Sequence, residues 1–169
     1  MTKKEKIKIL KSLIIRAIDE LYDKDIYLIN NKPQTLEKDG KHYVGERAIV
    51  FRFAHYFQNL IDTEGYFAGY NLDCEYNRNG VKVKKLPSFP NGTFPDVILH
   101  KRGRIKYDIL VMEFKTYWNN NQGNDFEKIR EFTDLSGQYK FLYGVTVLIG
   151  KTRNEVIIQS FYNGQTHDI

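Results

Sequence analysis

A carboxylate and an ammonium group stand two residues apart at the end of an apolar run. The run Ile109–Met112 leads directly into Glu113, Phe114 and Lys115. Such a run predicts a strand covered on both faces, and residues i and i+2 of a strand project from the same face. Glu113 and Lys115 are therefore expected to point together. They could serve phosphodiester hydrolysis, which needs carboxylates that hold a metal and a cation that orients water, or they could form a structural ion pair.

A second carboxylate, Asp96, lies at the start of the preceding predicted strand. An antiparallel pairing that places Asp96 opposite Glu113 has its midpoint just after Arg104, and Gly103 beside it predicts a chain reversal there. Residues paired in this way have side chains within reach of one ion. Two carboxylates that close repel each other unless a cation or a proton lies between them.

Glu46 is a further candidate acid, because it falls on the apolar stripe of a predicted helix from Tyr43 to Asp62. A carboxylate on the face that packs against a sheet is costly unless it is paired or bound to a metal. Glu46 could join the site, or it could merely complement the positive end of its helix. Both interpretations stay open at this point.

The elements that position these residues predict one domain, residues 1–169, of the α/β class. We expect a mixed central sheet flanked by helices. The predicted helices are 3–22, 43–62 and 124–135. Thr2 is the predicted N-cap of the first helix, and Asn124 is that of the last. The predicted strands are 70–77, 94–100, 106–115, 139–149 and 155–162.

Positive charge is concentrated around Asp96. The chain has a formal net charge of +5, and Asp96 is the only acid between Arg78 and Lys106. This window suits a polyanionic partner, although a solvated basic face is the alternative. Three cations are candidate phosphate contacts of a nucleic acid: Lys84, Lys85 and Arg102. Two aromatic side chains, Tyr117 and Trp118, could stack on a base or seal the sheet edge.

Other features bear on location and assembly. A lone cysteine, Cys74, predicts a buried thiol in a reducing compartment. No apolar run is long enough to span a bilayer, and the charged N-terminal segment is unlike a signal peptide. We therefore expect a cytoplasmic protein without a membrane partner. A homodimer is a possible assembly, since symmetric dimers are common.

These residues together resemble the PD-(D/E)XK nucleases, the restriction-endonuclease-like superfamily. The match consists of Pro95-Asp96, then Glu113-Phe114-Lys115 with Glu113 seventeen positions after Asp96, and it extends over about residues 45–149. Small uncharacterised bacterial members are similar at two further segments, Glu46-Arg47-Ala48 and Glu75-Tyr76-Asn77-Arg78. The resemblance implies an α-β-β-β-α-β core, here with an extra N-terminal helix.

The resemblance also implies roles for the candidate residues. Asp96 and Glu113 would be ligands of Mg²⁺ or Mn²⁺, Lys115 would orient the attacking water, and Glu46 would be an auxiliary acid. The expected function is that of a Mg²⁺-dependent phosphodiesterase acting on DNA or, less favoured, RNA. The alternative is a nuclease-like fold without cleavage activity, acting as a nucleic-acid-binding or regulatory subunit of a defence, repair or mobile-element system.

Overall fold

Two long helices begin the chain. The computed structural model describes residues 1–30, 44–104, 108–119 and 123–167. Helix α1 spans Lys3–Ile29, with a non-helical residue at Asp25, and α2 spans Glu46–Glu64. The predicted N-cap is confirmed, since Thr2 and Glu5 form a reciprocal capping box. Helix α1 continues well past its predicted end at Tyr22. The predicted first residue of α2, Tyr43, lies outside the described residues.

A six-stranded sheet forms the centre of the fold. Its strands lie in the order β1-β4-β5-β6-β7-β8, and all neighbours are antiparallel except β5 and β6, which are parallel. Helix α3 crosses between the parallel pair. The bounds of these elements are β1 Asn71–Cys74, β4 Val97–His100, β5 Leu110–Thr116, α3 Gly123–Thr133, β6 Tyr143–Ile149, β7 Ile157–Tyr162 and β8 Gln165–His167. The predicted α/β class with a mixed sheet is confirmed.

Apolar side chains cover the sheet on both faces. Phe53 of α2 packs against Phe114 of β5 with ring centroids 4.8 Å apart, within a cluster that also contains the apolar stripe of α1. On the other face, Phe132 of α3 belongs to a cluster with Ile98 of β4 and Val111 of β5. Two-sided burial explains why β5 has a continuous apolar sequence instead of an alternating one.

Several predicted boundaries are wrong. The first predicted strand ends at Cys74, and the Asn79-Gly80 turn belongs to a separate short hairpin formed by β2 (Arg78–Asn79) and β3 (Lys82–Val83). Asn124 lies inside α3 and does not cap it. The last predicted strand starts two residues later, after a short 3₁₀ turn at Arg153–Glu155, and β8 was not predicted. Short elements of this kind give too few residues for a periodic signal.

Gly144 fixes the distance between α3 and the sheet. A Cβ atom at Gly144 would lie 2.5 Å from Ile129 Cγ2 and 2.8 Å from Thr133 Cγ2. Gly144→Ala should therefore destabilise the fold by about 1–3 kcal/mol through overpacking. Urea unfolding would measure this loss. Gly45→Ala is the matched control, because a Cβ atom at Gly45 would meet no other atom within 4 Å. Equal stability of the two variants would show that α3 is not held this closely.

No described helix is both long enough and apolar enough to cross a membrane.

Candidate active site

The β4–β5 hairpin brings the two predicted metal ligands together. Val97 pairs with Met112, so one further step along this register places Asp96 opposite Glu113, as the sequence predicted. The Phe114 backbone N–H donates to Asp96 Oδ2 at 2.7 Å, which fixes that carboxyl against β5. Asp96 and Glu113 therefore extend from neighbouring strands toward one side of the sheet.

Glu113 is an almost fully buried carboxylate, with 2% of its surface exposed. Its Oε2 accepts a hydrogen bond from Lys128 Nζ at 3.0 Å, whereas its buried Oε1 has no hydrogen-bond partner among the described residues. Burial, followed by the nearby charge of Asp96, holds the pKa of Glu113 well above its usual value. A buried acid with one free oxygen is costly unless something else binds there.

The pKa values of Asp96 and Glu46 are also raised by burial. Burial raises the pKa of Asp96 to about 6, although the Phe114 N–H and the positive charge of Lys115 oppose the rise. Burial also raises the pKa of Glu46, whose Oε2 is a second buried carboxylate oxygen without a described hydrogen-bond partner. Both acids would be easier to keep ionised beside an additional cation.

Lys115 pairs with carboxylates on two different helices. Its Nζ lies 3.4 Å from Glu46 Oε1 and 3.2 Å from Asp125 Oδ2, and its side chain is 18% exposed. The structure thus connects Glu46 to Lys115 directly. Burial lowers the pKa of Lys115, but the charges of Asp125 and Glu46 outweigh that effect and raise it overall. The Lys115 side chain is thus mostly enclosed.

Sequence reasoning missed two members of this cluster, Asp125 and Lys128. Asp125 is 4% exposed, and Lys128 Nζ lies 3.7 Å from Asp125 Oδ1 as well as against Glu113. Both belong to the first two turns of α3. Because β5, α3 and β6 form a parallel crossover, the start of α3 returns to the end of β5 that carries Glu113 and Lys115. An acid and a base at i and i+3, just after such a strand, are the signal that could have identified them.

The assembled cluster carries an excess of negative charge. When all are ionised, two lysines face four acids, which leaves a formal charge of −2 on the set Glu46, Asp96, Glu113, Asp125, Lys115 and Lys128. The free Oε1 of Glu113 beside Asp96 fits a hard divalent cation such as Mg²⁺, which is commonly held by one or two carboxylates and completes its shell with water and substrate oxygens. Within residues 1–30, 44–104, 108–119 and 123–167, no three His, Cys, Asp or Glu side chains are grouped to hold a metal.

A cleft opens onto the cluster from the side of α2. Glu46 and Asp96 line it together with Phe51, which is 64% exposed, and with Arg47. The Arg47 Nε lies 2.6 Å from Glu75 Oε1 across the cleft, so an ion pair joins the start of α2 to the end of β1 there. The acidic cluster is thus accessible to a ligand along one wall.

The predicted nucleic-acid contacts are dispersed. Lys85 is exposed, whereas Lys84 is only 3% exposed and donates to the Arg78 carbonyl. Arg102 lies beyond the far end of β4 from Asp96, where it forms a bidentate ion pair with Asp73. The basic window is therefore not wrapped around Asp96.

The two aromatic candidates and the cysteine also have defined places. Tyr117 and Trp118 are half-buried, pack against the apolar core and contact each other edge to face with centroids 4.7 Å apart. This placement matches the hydrophobic-seal alternative. Cys74 is exposed, so the expected buried thiol is wrong.

A scan against protein-family models and a search of curated proteins gave no match for this chain.

Proposed function

We propose that this chain is a divalent-metal-dependent phosphodiesterase that hydrolyses nucleic acid, with DNA favoured over RNA, of the PD-(D/E)XK type. The order α2-β1-β4-β5-α3-β6 agrees with the α-β-β-β-α-β core of that superfamily, with α1 and a short hairpin added. The observation that carries the proposal is the buried Glu113, which has a free Oε1 and stands opposite Asp96 in a cluster of net negative charge. A divalent cation would remove the cost of that arrangement.

The residues of the cluster would have different roles in the proposed reaction. Asp96 and Glu113 would hold Mg²⁺, which supplies Lewis acidity toward the scissile phosphate when bound. Lys128 holds Oε2 of Glu113 and leaves Oε1 available. Lys115 would orient the attacking water and stabilise the negative charge that grows in the transition state. Glu46 and Asp125 position the Lys115 ammonium from both sides.

A specific observation favours a second candidate function, a nucleic-acid-binding or regulatory module without cleavage. Both lysines are already engaged in ion pairs with carboxylates of the same cluster. Interlocked pairs of this kind also occur where charges only specify a structure. The two candidates differ in what they require of the free carboxylate oxygen, because only the enzyme must bind an ion there.

Manganese binding to the metal-free protein tests the proposal. Mn²⁺ titrated at pH 8 should bind with a stoichiometry of about one per chain, and electron paramagnetic resonance of the free ion would follow it. Glu113→Gln should weaken this binding at least about tenfold, because the buried ligand loses its charge. The same samples, with Mg²⁺ added, should convert labelled DNA to shorter products only when Glu113 is intact.

The matched control is Glu75→Gln. Glu75 is an acid near the same cleft, but it pairs with Arg47 and stands outside the cluster. This variant should bind Mn²⁺ as the parent does. If the parent binds no ion, or if both variants lose it to the same extent, Asp96 and Glu113 do not form a metal centre and the binding module becomes the better candidate.

A further inference from the structure

A second charged site lies at the opposite end of β4. Asp96 precedes β4 and His100 ends it, a separation of about 13 Å along an extended strand. Around His100, the tip of the β2–β3 hairpin and the loop after β4 form a shallow, open depression. We name it the basic pocket, and its charged lining residues are Arg78, Lys84, Lys101, Arg104 and Asp108.

The buried side chain of Lys84 forms the floor of the basic pocket. Lys84 is 3% exposed, and its Nζ donates to the Arg78 carbonyl and lies 4.8 Å from the centroid of the Tyr76 ring. Among the described residues no carboxylate forms an ion pair with Lys84. The carbonyl and the ring face satisfy part of its charge but carry no counter-charge. The charges of Asp108 and Asp73 act on Lys84 from a greater distance, and Lys84 contributes buried positive charge without a direct ion pair to either of them.

The rim adds further positive charge. Arg78 and Arg104 are exposed and make no ion pair with any described carboxylate, and Arg78 only approaches the Val81 carbonyl at 3.5 Å. Asp108 is the single acid among the described lining residues. Burial raises its pKa to about 7, so it is only partly ionised at neutral pH. In the described lining, the exposed Arg78 and Arg104 and the buried Lys84 thus face one partly ionised acid.

We propose that the basic pocket binds a phosphate group, and that the phosphate belongs to the backbone of a nucleic acid. Guanidinium groups on the rim would bind phosphate oxygens bidentately, and the buried ammonium would strengthen the attraction from below. The described lining offers no exposed aromatic ring on which a base could stack, since Tyr76 already packs against His100 with centroids 4.6 Å apart. Recognition is therefore of the phosphate and not of the base. This site does not rest on the proposed hydrolysis, because binding is separable from cleavage.

The test is binding of a fluorescein-labelled single-stranded DNA 20-mer, followed by anisotropy in a chelating buffer without metal. The double variant Arg78→Ser/Arg104→Ser should weaken binding about tenfold and lower the slope of log affinity against log salt by about 1–2, as expected for lost phosphate contacts. Because both side chains are exposed, thermal unfolding should be unchanged. The charge-matched control is Lys3→Ser/Lys4→Ser, which removes two exposed cations from the first turn of α1.

A competition arm separates the two sources of phosphate. Inorganic phosphate is added to the parent at constant ionic strength. If the pocket also accepts a free phosphate ion, the 20-mer should be displaced. If the pocket needs the polymer, the 20-mer should stay bound. Either result supports a phosphate site when the arginine variant alone is weakened. An equal loss in the arginine and lysine variants, or no loss in either, would overturn the proposal, since the pocket would then contribute only general charge or nothing.

Discussion

Lys115→Ala should reduce Mg²⁺-dependent cleavage of DNA by about 10²–10³-fold, the effect of removing one group that stabilises charge in a transition state. Substrate affinity should stay within a few-fold of the parent, because interactions that strengthen in the transition state act on rate more than on binding. Single-turnover cleavage and anisotropy binding, measured on the same preparation, would separate the two quantities. Asp96→Ala should instead lose cleavage and Mn²⁺ binding together.

Lys128→Met is the matched control for Lys115→Met, since both lysine side chains are 18% exposed in the same cluster. Methionine keeps the length of the side chain and controls for packing. Thermal unfolding of both variants is needed, because Lys115 holds Glu46 and Asp125 and its loss leaves two carboxylates unpaired. If Lys115→Met cleaves as the parent does while Lys128→Met does not, the role assigned to Lys115 belongs to Lys128.

Asp73→Asn should destabilise the protein by about 2–4 kcal/mol at neutral pH, because a half-buried carboxylate would lose its charge beside the Arg102 guanidinium and the hydrogen-bonded His100 ring. The His100 ring nitrogen lies 2.8 Å from Asp73 Oδ2, and Arg102 Nε donates to the same oxygen at 2.8 Å. Burial raises the pKa of Asp73, but the hydrogen bonds from Arg102 and His100 outweigh it and lower the pKa overall.

The sign of the pH dependence follows from that lowered pKa. Asp73 contributes its full stability above the unfolded pKa of about 3.9, and the contribution disappears as the pH falls through the lower folded value. The parent and Asp73→Asn should therefore differ most above pH ~5 and converge in strong acid. Urea unfolding at several pH values would show this. A constant difference across the range would mean that Asp73 acts through packing. Arg102→Gln should cost less, since Arg102 is largely exposed.

The hairpin at the centre of the site could be predicted from sequence because its parts are local. The apolar run before Glu113, the glycine in the loop and the position of Asp96 define one register, and the observed Val97–Met112 pair agrees with it. A single register slip would have moved Asp96 to the other face of the sheet. Parity along two adjacent strands was therefore enough to group Asp96, Glu113 and Lys115.

The remainder of the site depends on contacts between distant elements. Asp125 and Lys128 reach Glu113 and Lys115 only because α3 crosses between parallel strands, and local spacing does not show which way a helix face turns. The dispersal of the basic window has a similar reason. Lys84 and Arg102 are near Asp96 in sequence, but one is buried under Tyr76 and the other reaches back to Asp73. Charge along a chain does not reveal which charges already have partners.

The position of α1 has a consequence for synthesis on the ribosome. Tyr22 donates from its hydroxyl to the Gly150 carbonyl at 2.7 Å, and Arg153 Nε lies 2.5 Å from Asp19 Oδ1. Helix α1 is thus secured by residues that are made more than a hundred positions later. At an elongation rate of about 5–20 residues per second, these two contacts can form only several seconds after α1 is made. During that interval α1 can pack against α2 but lacks the two polar contacts that join it to the later part of the chain.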